Sequence, residues 1–265
     1  SLTTEGTSAI SGVTSGTGAT LSKAGSGSLT LSGTNTYSGS TTISAGTLSI
    51  AKDANLGTAP GSATAQHLTI DGATLLVTGN TTLNSKRGIE LGVNDGTIDV
   101  NAGMTVQFGG IVDGSGDFSK TGAGKLSLSG TNTYTGTTRV SGGILEANNV
   151  SALGNNSALT LDNTAGVSLN LLSNLTIGSL VGGGTTGGNV SLGSAQLTAG
   201  ANNTSTTYAG VMSGTGSLQK SGSGDFKLTA NSSYTGATTI GDGQLILENN
   251  APTFATSSIH GPGAM

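Results

Sequence analysis

Residues 120–145 read KTGAGKLSLSGTNTYTGTTRVSGGIL, and nearly the same sentence is written twice more. It appears as KAGSGSLTLSGTNTYSGSTTISAGTL over residues 23–48 and as KSGSGDFKLTANSSYTGATTIGDGQL over residues 220–245. The middle copy holds a glycine turn (Gly122, Gly124), an alternating pair (Leu126, Leu128), a polar corner leading to Tyr134 and Gly136, and a short run through Val140 to Gly143 and Leu145. Tyr37 and Tyr234 mark the same point in the outer copies, 97 residues before and 100 residues after Tyr134. In the third copy the apolar positions fall at Leu228, Ile240 and Leu245. Self-similarity at a fixed period marks a chain built by stacking one unit on the next.

The segments between the copies also correspond. AISGVTSGTG near the start returns as GGIVDGSG (109–116) and AGVMSGTG (209–216), and GIELG (88–92) parallels GNVSLG (188–193). The repeat is therefore the whole unit of about 100 residues. The expected organisation is one continuous solenoid over 1–256, made of three related units at about 10–108, 109–208 and 209–256. The stretch 257–265, SSIHGPGAM, breaks the period and reads as a frayed or appended tail.

Within each unit the apolar residues alternate, as in Leu126-Ser127-Leu128 and Ile98-Asp99-Val100. That is the period of a half-buried strand. Glycine, Asn, Asp and Ser pairs punctuate the strands, supplying the backbone freedom of tight turns. Helix is confined to one or two turns at 50–56 and 149–153. The composition supports folding: 33% hydrophobic and only 8% charged, against the low hydrophobicity and high charge of disordered chains. Aromatics at 3% argue against a propeller and against a sandwich core filled by large side chains. An all-β fold, a parallel β-helix whose narrow interior takes stacked Leu, Val, Ile and Ala, fits. At roughly 20–25 residues per coil, it would have about eleven to thirteen coils.

A net charge of −4 without a basic stripe excludes nucleic acid as a partner. The one adjacent basic pair is Lys86-Arg87. Cysteine is absent, so disulfides and thiolate metal sites are excluded together. No apolar run reaches the length of a membrane helix, and no leader pattern precedes the first repeat. The chain begins mid-pattern at Ser1 and reads as part of something larger.

The phrase GxGxLxLxGxNxYxGxTxVxxGxL, continued to ALG at Gly154, closely resembles the passenger-associated transport repeat of bacterial autotransporters. The resemblance covers three stretches of about 35 residues. It implies a right-handed β-helical passenger, exported through a C-terminal outer-membrane barrel to the surface of a Gram-negative bacterium or released from it. It also implies a role in export and folding, with many such passengers serving as adhesins or self-association factors. The third copy departs from the pattern, with Ala230-Asn231-Ser232-Ser233 where the others have Gly-Thr-Asn-Thr. The shifted asparagine puts its corner role in question.

The sequence offers no catalytic, cofactor-binding or metal-ligating constellation. Of the two histidines, His260 lies in the aperiodic tail, and His67 has Asp71 nearby but no nucleophile elbow to serve. Asp95 with Asp99, and Asp113 with Asp117, are the densest acids, and they read as turn and face residues. Asn94-Asp95-Gly96 is a single copy of a motif that binds calcium only in tandem rows. Residues 182–187 satisfy GxGxxG, yet strand-like sequence follows and no helix N-terminus is there to hold a phosphate. The three tyrosines would lie along one face about 20 Å apart by the rung spacing, each packing a turn over the coil edge.

The expected function is a structural and interaction one: a stem that assists export and forms an adhesive or self-associating surface, with a host surface or a second copy as partner and no small-molecule cofactor. The competing expectation is a polysaccharide-active β-helix enzyme, a lyase or glycosidase. An acid cluster in a groove beside a basic residue would favour the enzyme; uniform Ser/Thr faces would favour the stem.

Overall fold

The computed structural model describes residues 5–248 and the backbone of residues 2–3; the expected tail, 257–265, with His260, lies outside them. The chain winds as a parallel β-solenoid of about eleven turns. All strand pairs are parallel, each strand pairing with the one about a coil earlier, as in Ile98 with Leu75 and Lys120 with Ile98. The only helical element among the described residues is a single 3-10 turn, Asp53–Leu56.

The winding makes a three-sided prism. Face 2 is continuous, with twelve strands from Thr7–Ile10 to Leu245–Leu247. Face 1 runs as strands from Leu2–Thr3 to Val112–Gly114 and changes to loops at 129–137 and 148–157. It resumes as strands from Leu175–Ile177 to Thr238–Ile240. Face 3 does the opposite, with loops at 11–20, 32–40 and 51–63, then seven strands from Thr81–Leu83 to Met212–Ser213, then a loop at 229–237. Loops and strands stack in one column because the loops still offer backbone groups to their neighbours. Thr133 and Thr135 N–H, for example, donate to the carbonyls of Val112 and Gly114 below.

Alternation turns every second side chain inward, and in-register stacking lines these up in rows. One row on face 2 reads Leu29, Leu48, Leu75, Ile98, and another Leu31, Ile50, Val77, Val100, all buried. Burying a Leu, Ile or Val side chain contributes about 1.5–3 kcal/mol, so these rows are the main favourable term in a chain with few large residues. At the corners, Asn and Asp side chains accept from the next coil's backbone. Asn80 caps Thr105 N–H, Asn174 caps Gln196 N–H, and Asn203 caps Ser223 N–H, at 2.7–3.0 Å.

Two expectations change here. The recurring tyrosines do not share a face: Tyr37 and Tyr234 lie in loops of face 3, Tyr134 in a loop of face 1. The spacing between copies is not a whole number of coils, so the middle copy is displaced by one face relative to the outer two. Nor do the rings pack over a coil edge. All three are within the core at 0–1% exposure.

Candidate functional site: the lysine, asparagine and tyrosine corners of the repeat

Strand Phe118–Thr121 turns Phe118 and Lys120 inward and Ser119 and Thr121 outward. Lys120 thereby stands in the core row between Ile98 and Val140, fully buried. Its Nζ donates to the carbonyls of Thr121, Gly122 and Gly142 at 2.6–3.0 Å, the last belonging to the following coil. Lys23 does the same with Ala24, Gly25 and Ala45, and Lys220 with Ser221, Gly222 and Asp242. Three carbonyls match the three donors of an ammonium, which is how a buried charge is tolerated. Burial pushes all three ammoniums down from their ordinary value, Lys120 to about 8.

Asn132 is the second fastener. Its Oδ1 accepts from Val112 N–H on the coil below, and its Nδ2 donates to Ala152 O on the coil above. Asn35 repeats this with Thr14 and Asn55. In the third copy Ser232 takes over the downward contact, its Oγ accepting from Met212 N–H at 3.1 Å. The question left by the shifted asparagine is answered by the neighbouring serine, itself buried.

The tyrosine hydroxyls each meet a threonine four residues on: Tyr37 with Thr41, Tyr134 with Thr138, Tyr234 with Thr238, at 2.6–2.8 Å. Glycine lies directly over the first two rings. Gly57 and Gly154 have φ of 74° and 71°, and a Cβ there would come within 2.3 and 2.5 Å of the tyrosine carbonyl. Burial raises the phenol pKa values from their ordinary value, the more so for Tyr134.

Of the other signature residues, Leu126, Leu128, Val140, Leu145 and Leu228 are buried core, and Gly124 and Gly143 are buried beneath neighbouring carbonyls. Gly122 and Gly136 are half-buried at their corners. Ile240 and Leu245 are half-buried too, where a third-copy core was expected, because they stand in the last described coil.

Most of the acids weighed for chemistry bond to a neighbouring coil, whereas Asp113 faces another carboxylate and its buried Oδ1 has no hydrogen-bond partner. Asp71 caps Asn94, Asp95 caps Asp117 N–H, Asp117 caps Thr137 N–H, and Asp99 accepts from the Thr121 hydroxyl. Asp113 neighbours Glu90 on the next rung, and burial followed by that carboxylate raises its pKa. Residues 183–188 form a loop between strands Ser179–Gly182 and Asn189–Ser191, so the glycine motif starts on a strand end and runs into a loop. One shallow polar depression is lined by Asp53, Thr82, Asn84, Gln107 and Ser129.

Alternation hid the lysines, since a charged residue is ordinarily assigned to the surface. Their signal was nonetheless present: three of the nine basic residues open the three copies at one register.

These corners define a repeat-built β-solenoid fastened coil to coil by its own motif. The passenger-associated-transport-repeat family matches residues 21–50, 118–147 and 218–247. The chain is also 41% identical over 183 residues, 68% of its length, to an adhesin autotransporter, BmaC, of Brucella suis biovar 1 (strain 1330). It spans 5% of that relative's length. No solved structure matches. Together these findings place the chain among autotransporter passengers that carry passenger-associated transport repeats, a class exported through the outer membrane to the cell surface.

Proposed function

We propose that this segment is a load-carrying and adhesive stem of a surface-displayed passenger, joined in its parent to a C-terminal outer-membrane barrel. Its partner is a host surface or a second passenger. The observation that supports this most directly is the self-fastening corner: Lys120 and Asn132 each bind the coil that follows, and Asn132 also the coil below. A chain emerging coil by coil outside the cell gains from a motif that locks each coil to its neighbour without cofactor, metal or disulfide. The three copies then head three related units of one rod, supporting export while polar Ser/Thr faces meet a partner. The similarity to an adhesin supports the adhesive half of the reading.

Asp95 and Asp117, two of the acids an enzyme would draw on, instead cap backbone groups at the corners. Asp53, which lines a depression beside a basic residue, is occupied by Arg87 and the Asn84 N–H.

Bacteria displaying the parent passenger, with and without residues 21–247, test the proposal. Adherence to host cells or to one another should fall on deletion, and surface display should fall with it. Equal adherence at equal display sinks the adhesive role, and undiminished display sinks the export role.

A further inference from the structure

The largest fully buried side chain among the described residues belongs to Arg87, and it serves no repeat motif. Strand Arg87–Leu91 opens the coil above strand Thr64–Ile70, and the register between them slips: Arg87 pairs with Thr64, but Ile89 already pairs with Leu68. Two extra residues bulge there, with Gln66 in the left-handed region at φ 62°. Through this gap Arg87 reaches the 3-10 turn Asp53–Leu56, 34 residues earlier. Its Nε and Nη2 donate to the Asp53 carboxylate at 2.9 and 3.3 Å, its Nη1 to Leu56 O, and its Nη2 to Gly57 O.

His67 closes the cluster from within the bulge, 5% exposed. Nη1 of Arg87 stands 3.5 Å from its Nδ1, which must accept and so leaves the ring proton on Nε2. Nε2 is buried without a hydrogen-bond partner, near the backbone of Ser38. The other charged or titratable groups against the cluster are Asp53 and Tyr37, with Lys86 outside holding the carbonyl of Gly61. Bulge, left-handed backbone, unpartnered nitrogen and a buried guanidinium thus coincide at the anchorage of a mostly exposed segment, 57–66.

We propose that His67, Arg87 and Asp53 form an acid-opened latch that frees segment 57–66 while the remaining coils stay folded. A second proton on His67 removes the acceptor Nδ1 and sets an imidazolium against the guanidinium. Arg87 then withdraws from the carbonyls that end the 3-10 turn. Burial, and then Arg87, already hold the imidazole below its ordinary value. The folded ring binds fewer protons than the unfolded one, so the latch is fully closed above about pH 6.5 and weakens as pH falls through the lowered native value.

Hydrogen exchange of the chain at pH 7.5 and 4.5, corrected for the intrinsic pH dependence of exchange, reads the latch directly. Protection over residues 53–67 should fall severalfold at the lower pH, with the coils around Tyr134 unaffected. His67→Asn should abolish the fall. The same fall in His67→Asn, or an equal fall in every coil, overturns the proposal. If His67→Asn does not fold, His260→Ala leaves one imidazole whose NMR titration can be followed. Its midpoint must lie below 6.5 and coincide with the loss of protection, and a mismatch overturns the latch equally.

Discussion

The corners above Tyr37 and Tyr134 come from almost the same words, GTNTYSGSTT and GTNTYTGTTR. Within their own coil they are alike, with hydroxyl to threonine, asparagine to both neighbours, and glycine over the ring. They part company in the next coil. Over Tyr134 the Thr138 hydroxyl meets Ser157, whose Oγ continues to Gly136 O, and the network is neutral throughout. Over Tyr37 stand His67, Arg87 and Asp53. A repeat prescribes its own turn and the hands it offers; what grasps them is written a coil later, outside the repeat.

The largest expected difference follows from that charge. Arg87→Met strands the Asp53 carboxylate and the two carbonyls, and should cost about 3–5 kcal/mol in urea denaturation, with exchange rising first over residues 53–67. A cost as small as that of the neutral network would dissolve the contrast. The glycine caps should instead behave alike. Gly57→Ala and Gly154→Ala both force a side chain into left-handed backbone above a tyrosine, each losing about 2–4 kcal/mol. Unequal losses would mean that the next coil also governs the cap.

Lys120 gives a pH test on the middle copy. The folded ammonium releases its proton near pH 8 and the unfolded one near 10.5. Between these values the unfolded chain binds more protons and stability should climb with pH, by up to about 3 kcal/mol. From about pH 10 the unfolded tyrosines ionise while buried Tyr134 keeps its proton, and the curve should turn down. Lys120→Met should shrink the rise, leaving the share of Lys23 and Lys220, and keep the downturn, in denaturation midpoints taken from pH 7 to 11; an unchanged rise removes Lys120 as a source. The smallest effect is Ser157→Ala, about 1 kcal/mol for a neutral hydrogen bond, against which the Arg87 value is to be set in the same assay.

Much of this was legible beforehand because a solenoid's core is written in period two. Leu126 and Leu128 alternate with hydroxyl or charged neighbours, and the structure buries both. Parallel stacking followed from the repeat, and the short helix expected at 50–56 is the 3-10 turn, whereas the one expected at 149–153 is a series of turns without helix. Long-range partners were not legible. Nothing near Arg87 in the sequence points to Asp53, and the slip that joins them is a two-residue bulge invisible to periodicity. Ser232 standing in for an asparagine was equally hidden, since its partner, Met212 N–H, lies 20 residues away. The displaced face of the middle copy was implicit in the spacing, but reading it requires the true length of every coil.

That displacement has an evolutionary side. A duplicated unit that ends part-way round the prism acts as a dial: each insertion turns all later copies to a new bearing while the interior rows continue unbroken. Recombination among such units can therefore change which side of the rod presents loops and which presents flat sheet, with no redesign of the core. Outward display can thus be varied by counting repeats alone.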